Sequence, residues 1–373
     1  MKIAAIDVYQ VDLPYSGGSY TLSGGRVYTS FDATIVRITT QCGIEGWAES
    51  TPFGSNYVAA HARGVRAGIA EMAPRLIGLD PRLCDRFNEQ MDNLLAGHLH
   101  AKTPLDIACW DIFGKSVGLP VCDLLGGSTG NRMPVISSIY ADDPDDMRAR
   151  VQQHREQGYR GHSVKIGASE REGGPRLDAE RIKASLADAK AGEYFLADAN
   201  GGMTLEHALR LLKLLPDDLD FVLEAPCATW REHVALHRRS TVPMVFDELA
   251  TDEASILQIL VDEASEGIGL KVSKNGGLTR CRRQRDMAIT AGLTMSVQDT
   301  VGSEIAFAGL LHLAQTIPEK YLRCVLDVRD MVSIKTAEFN VSIMDGGVMA
   351  PRDPGLGVKP DLQMLGEPVA HYE

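Results

Sequence analysis

The chain has 373 residues, 44% hydrophobic and 24% charged, with a net charge of -12. Such a length supports a large core and two domains, and the composition is that of an ordinary globular protein. The acidic balance, with no Lys/Arg block, argues against a nucleic-acid partner, and no apolar run reaches the roughly 18 residues of a membrane span.

The opening MKIAAIDVYQVDLP alternates apolar and polar residues, as a strand does and a signal peptide does not. Residues 32–39 and the short run Ile44–Ala48 repeat the alternation, so an antiparallel sheet is expected. From Ala59 to Leu94 the spacing turns helical. KTPLDIACWDIFGKS (102–116) reads as a further helix with Pro104 in its first turn. VGLPVCDLLGG then ends a first domain at Gly127.

Beyond it, strand-like and helical stretches alternate. PVISS (134–138) and GHSVKIG (161–167) are strand-like, 175–191 is helical, YFLADAN (194–200) is a strand, and Thr204 caps a helix through Leu214. DLDFVLEAP (218–226), PMVFDE (243–248), GIGLKVSK (267–274) and LTMSVQD (293–299) are further strands. Helices follow near 229–238, 253–260, 278–291 and 303–316, and a last strand is expected near Arg323–Asp327. Alternation of this kind makes βα units and a parallel sheet. The number of strands favours a closed barrel over a doubly wound sheet, and no glycine-rich dinucleotide loop follows the first strand. Asp345-Gly346-Gly347 and PRDPGLGV are hairpin signals. The expected division is therefore 1–127, an α+β domain; 128–335, the barrel; and 336–373, a segment returning to the first domain.

Six residues stand at the ends of these apolar runs: Lys165, Asp198, Glu224, Asp247, Lys271 and Asp299, spaced 33, 26, 23, 24 and 28 residues apart. Each gap is about one strand-plus-helix unit, and in a closed α/β barrel such strand ends meet at one mouth. Three carboxylates gathered there repel one another and imply a divalent cation. Oxygen ligands suit Mg²⁺, whereas zinc would call for the His or Cys these positions lack. One aspartate alone would read as a helix N-cap; three in phase do not. Asp247 and Glu248 point oppositely in a strand, and the residues themselves do not choose between them.

Lys165 and Lys271 lie among aliphatic neighbours, where a lysine is seldom buried unless paired. In a closed pocket such an amine can serve as a base. Lys274, three residues on in the same run, should face another way. Asp299, with Thr300 beside it, is placed to bind substrate or orient Lys271. Two amines around one cation suit proton removal next to a carboxylate, followed by reprotonation or by loss of a β-leaving group. Seven cysteines without CxxC spacing read as reduced thiols of a cytoplasmic protein.

These pieces resemble the mandelate racemase and muconate-lactonising branch of the enolase superfamily. The likeness runs from PLDIACWDIFGKSVGLPVCDLLGG through VKIG, ADAN, LEAP, FDE and LKVSKNGGLT to the terminal PGLGV. It implies a modified TIM barrel, (β/α)7β, under an α+β capping domain. It also implies Mg²⁺ on Asp198, Glu224 and Asp247, and catalytic Lys165 and Lys271. Sites of that superfamily pair a lysine or histidine base with Mg²⁺. Many relatives carry Lys-x-Lys where this chain reads Ser163-Val164-Lys165, so the assisting first lysine is absent. LSGGR (22–26), HSVKIG and KVSKNGGLTR look like the cis-3-hydroxy-L-proline dehydratases, and 4-hydroxyproline betaine 2-epimerases are similar in the same regions. The resemblance implies a small-molecule carboxylate substrate, closed over by Ser23, Arg26, Thr51, Phe53 and Tyr57 of the cap and met by Asp299 and Thr300, in a homo-oligomer.

Overall fold

The computed structural model describes residues 1–22, 26–140 and 143–373. Three strands, β1 (Ile3–Pro14), β2 (Ser30–Thr40) and β3 (Glu45–Ser50), form an antiparallel sheet in which β2 lies between the other two. Alternation places Ile6 and Val8 of β1 and Val36 and Ile38 of β2 on one buried face, as period-2 patterning requires. A short C-terminal strand, Ala370–Tyr372, adds to the free edge of β1 through Ile6, Asp7 and Val8.

Three helices cover this sheet: α1 (Ala62–Leu76), α2 (Cys84–Leu94) and α3 (Leu99–Val117). Helix α3 starts earlier than the sequence predicts, so Pro104 falls beyond its first turn. The carbonyl one turn before Pro104 forfeits its helical donor, a loss carried by an element buried on nearly every side. Its burial has a reason: it is the seam between cap and barrel. Asp106 accepts from Thr279 N at 3.0 Å and Thr279 Oγ1 at 2.5 Å, Trp110 Nε1 donates to Thr279 Oγ1 at 2.8 Å, and Thr103 Oγ1 donates to Ser273 O at 3.0 Å.

The barrel strands are β4 (Met133–Ile139), β5 (Gly161–Lys165), β6 (Tyr194–Asp198), β7 (Val222–Glu224), β8 (Met244–Phe246), β9 (Gly267–Lys271), β10 (Thr294–Gln298) and β11 (Leu322–Leu326). They pair in parallel in chain order, and Val325 and Leu326 of β11 close the ring against Val135 and Ile136 of β4. An α-helix follows each of the first seven strands, and only a 3₁₀ turn, Val328–Met331, follows the eighth. This is the (β/α)7β barrel with a separate antiparallel capping sheet. Inside it, Ile136, Leu196 and Cys324 form a small apolar layer, so the interior is packed and the chemistry is confined to the mouth.

One strand reading needs correction. The run 267–274 leaves the sheet at Lys271 and continues as a helical turn, α4 (Val272–Asn275). Residues three apart on such a turn share a face. Lys274 therefore does not face away from Lys271, as a strand would require, but returns to the same carboxylate.

Candidate active site

Parallel register sets the site. Lys165 is level with Asp198, Asp198 with Glu224, and Lys271 with Gln298, so these residues form one tier at the C-terminal rim. Asp247 follows directly on β8. In a ring of eight, the second and sixth strands are diametrically opposed. Lys165 ends the second and Lys271 the sixth, with the three carboxylates on the third, fourth and fifth strands between them.

The three carboxylates are buried, each at 2% exposure or less. Lys165 Nζ is hydrogen-bonded to Asp198 Oδ2, and Lys271 Nζ to Asp247 Oδ2. Lys274 Nζ donates to Asp247 Oδ1 at 3.1 Å and to the Asp247 carbonyl. Among the described residues no lysine is bonded to Glu224; its Oε1 accepts from Gln298 Nε2 at 3.0 Å. Asn200, held in the left-handed region at φ 45°, donates from its amide to Asp198 Oδ2 at 2.9 Å and to Glu248 Oε1 at 3.1 Å. Asp247 thus faces the lysines, and Glu248 faces the Asn200 side.

Charge and burial compete here. Burial disfavours both lysine ammoniums, but the carboxylates beside them win and hold both groups above the ordinary lysine range: Asp198 acts on Lys165, Asp247 and Glu248 on Lys271. Burial pushes the Glu224 carboxyl well up, and the charges of Asp198 and Asp247 push it further. Asp247 goes the other way: burial opposes its charge, and Lys271 and Lys274 overcome that opposition.

Does this donor set suit a divalent cation? Among the described residues no three carboxylate, imidazole or thiolate groups converge on one point in the observed rotamers. Asp198 is turned to Lys165, and Asp247 to Lys271 and Lys274. The backbone arrangement nevertheless suits one. Three hard oxygen donors end three adjacent strands, and Glu224 is a buried carboxylate among like charges with no lysine or arginine bonded to it among the described residues. Gly269 of β9 keeps the space between two of them open: a Cβ there would stand 3.1 Å from Glu224 Oε1 and 3.3 Å from Asp247 Cβ. The fit requires the lysines to release Asp198 and Asp247.

The pocket is a cavity of about 40 Å³ whose lining includes both Lys165 and Lys271, with Asp198, Asp299, Thr300, Phe53 and Tyr57. Lys271 Nζ donates to Tyr57 Oη at 2.5 Å and lies 4.9 Å from the centre of the Tyr57 ring. Phe53 is packed against the rings of Tyr20, Tyr28, Phe31 and Tyr57, with centroids 4.7 to 5.7 Å away, and this aromatic cluster roofs the pocket. Arg26 lies outside it, lining a neighbouring cavity of about 480 Å³ that shares Tyr57 and Asn200 with the pocket. Thr51 does not line the pocket; its carbonyl accepts from Thr300 Oγ1 at 2.5 Å. Asp299 Oδ2 is occupied by Ser273 N at 3.1 Å and Ser273 Oγ at 2.7 Å. Ser23 lies outside the described residues.

Sequence reasoning passed over several lining residues. Tyr20, Ser138 and Gln298 all face the cavity, and Tyr20 Oη lies 3.0 Å from Ser138 Oγ. The period-2 alternation of PVISS and LTMSVQD could have shown Ser138 and Gln298 pointing inward. Tyr20 carries no local signal, because its place is decided by how the cap sits on the barrel.

Residues 146–364 match the enolase C-terminal domain-like family, and residues 22–126 match the mandelate racemase/muconate lactonizing enzyme N-terminal domain. The chain belongs to the mandelate racemase/muconate lactonizing enzyme family of the enolase superfamily. It is similar to a cis-3-hydroxy-L-proline dehydratase of Roseibium aggregatum, at 38% identity over 372 residues and 100% of both chains. A family structure from Roseovarius nubinhibens ISM, complexed with magnesium, superposes with a TM-score of 0.99 at 54% identity, covering 100% of both chains. One from Aspergillus oryzae does so at 0.94 and 63% identity, covering 100% of this chain and 99% of that one.

Proposed function

We propose that this enzyme is a Mg²⁺-dependent hydro-lyase that converts cis-3-hydroxy-L-proline to 1-pyrroline-2-carboxylate. The observation that carries the proposal is the placement of two lysines on diametrically opposed strands, both opening into one small pocket, with Asp198, Glu224 and Asp247 at the ends of the three strands between them. Asp198, Glu224 and Asp247 are assigned as the metal ligands. When bound there, the cation would hold the substrate carboxylate and offset negative charge that develops on its oxygens. Identity with the Roseibium dehydratase over the whole chain supports the substrate.

In cis-3-hydroxy-L-proline the hydroxyl and the carboxylate share a ring face, which leaves the α-hydrogen on the other. Lys165 takes that proton, breaking the Cα–H bond. Lys271 gives a proton to the departing hydroxyl on the opposite side, so the C3–O bond breaks and water leaves. The electron pair becomes a C2=C3 double bond, and the resulting enamine tautomerises to the cyclic imine. Anti elimination needs an acid and a base on opposite faces, and the barrel supplies them from opposite strands. Burial is the force that frees Lys165 to act as a neutral base once the carboxylate beside it is engaged elsewhere. Tyr57 holds Lys271 from the cap side.

The same pair of lysines would also serve a 4-hydroxyproline betaine 2-epimerase, in which Lys271 returns a proton to the α-carbon, and an acid-sugar dehydratase is a further reading of the site. NMR of the enzyme with Mg²⁺ in deuterated water separates them. Cis-3-hydroxy-L-proline giving the imine acid supports the proposal. A deuterated diastereomer formed from the N-methylated compound, or turnover of acid sugars alone, overturns it.

A further inference from the structure

The cap segment over the pocket is tied down at both ends. At its far end Tyr57 Oη accepts from Lys271 and, at 3.3 Å, from Asn200 Nδ2. At its near end stands Glu49, the penultimate residue of β3, a carboxylate 1% exposed and reaching from the cap into the barrel. Glu49 accepts from Thr51 Oγ1 at 2.8 Å and from the backbone N–H of Ser303 at 3.1 and 3.2 Å. Ser303 is the N-cap of helix α5 (Glu304–Ala314), yet its hydroxyl makes no capping bond to its own helix and donates to Glu49 instead. The helix thus accepts an anion from another domain at its positive end. Gly302 makes room for it, since a Cβ there would stand 3.1 Å from Glu49 Oε1 and 2.5 Å from Ala306 Cβ.

From Thr51 the bonds run on without a break. Thr300 Oγ1 donates to the Thr51 carbonyl, Thr300 N donates to Asp299 Oδ1 at 2.8 Å, and Asp299 Oδ2 accepts from Ser273, two residues past Lys271. Every member is buried. A buried charge is a poor way to hold two domains together, because apolar contact does so at lower cost. Its directionality, by contrast, allows one register only.

We propose that Glu49 is a positioning residue for the reaction, acting through Thr51 and Ser303 to set the cap segment 50–57 over Lys271. The kinetic part of this proposal rests on the reading of Lys271 as the lysine that acts in the pocket; the mechanical part does not. Glu49→Gln, Ser303→Ala and Thr300→Val are made in the full chain, and backbone amide exchange is followed by mass spectrometry without substrate. We expect exchange across 50–58 to rise about tenfold in each variant while β2 and the barrel strands keep their protection. With substrate, Glu49→Gln and Ser303→Ala, neither of which lines the pocket, should raise KM about tenfold and change kcat less than about threefold. Wild-type exchange at 50–58 in the variants, or a rise spread evenly over both domains, overturns the proposal. If Glu49→Gln fails to fold, the other two variants decide alone. A chain that does not turn over cis-3-hydroxy-L-proline leaves the exchange result standing.

Discussion

Replacing Lys271 by Ala should separate the two halves of the elimination. The structure limits the damage to the fold. Asp247 loses one partner but keeps Lys274, 3.1 Å from Oδ1 and bonded to the Asp247 carbonyl. The stability cost is then near that of one charge-assisted hydrogen bond, about 1.5–3 kcal/mol, and below the roughly 3–5 kcal/mol of an orphaned buried charge. The chemical cost is larger. A positioned general acid is worth about 10²- to 10⁴-fold, or about 2.7–5.5 kcal/mol of barrel-mouth chemistry. Lys165, on the opposite strand, is untouched. The variant should therefore exchange the α-hydrogen of cis-3-hydroxy-L-proline within about tenfold of the wild-type rate while forming imine acid at least about a hundredfold more slowly. Proton NMR in deuterated water reads both rates in one sample, and Lys165→Ala should abolish both. Exchange lost in Lys271→Ala and retained in Lys165→Ala would falsify the assignment of base and acid.

Two further outcomes follow from the electrostatics. Glu224→Gln keeps an acceptor for Gln298 and removes a buried charge crowded by Asp198 and Asp247, so its metal-free Tm should exceed that of the wild type. Mg²⁺ at 100 times its Kd should stabilise the wild type by about 2.7 kcal/mol and the variant much less; equal gains in Tm would remove Glu224 from the ligand set. Burial holds His312 down at about 4, its Nδ1 accepting from Cys122 N at 3.2 Å and its Nε2 lying 3.2 Å from the Leu356 carbonyl. A histidine depressed in the fold contributes stability that is present above its unfolded value, near 6.5, and is lost as pH falls toward 4. The stability difference between the wild type and His312→Gln should accordingly change by up to roughly 3 kcal/mol between pH 7.5 and 4.5. Urea unfolding at the two pH values measures it, and a difference that ignores pH refutes the argument.

The repeat of apolar runs determined the barrel by itself. A strand buried on both faces must be apolar until it reaches the rim, so a charged residue closing each run marks the mouth. Lys165, Asp198, Glu224, Asp247 and Lys271 were all legible for that reason. Alternation also showed the cap strands, since successive side chains of a strand point to opposite faces. Tertiary structure alone decided which groups meet. Lys274 joins Asp247 because the chain turns helical after Lys271, a change of period that a short apolar run does not announce. Asp247 bonds the lysines while Glu248 bonds Asn200, a choice that two adjacent acidic residues leave open until the strand is placed in the ring. Tyr57 reaches Lys271 from 214 residues away, and Glu49 reaches Ser303 from 254. Local sequence encodes period and polarity. Contacts over such separations depend on how two domains settle against each other, and no local pattern carries that information.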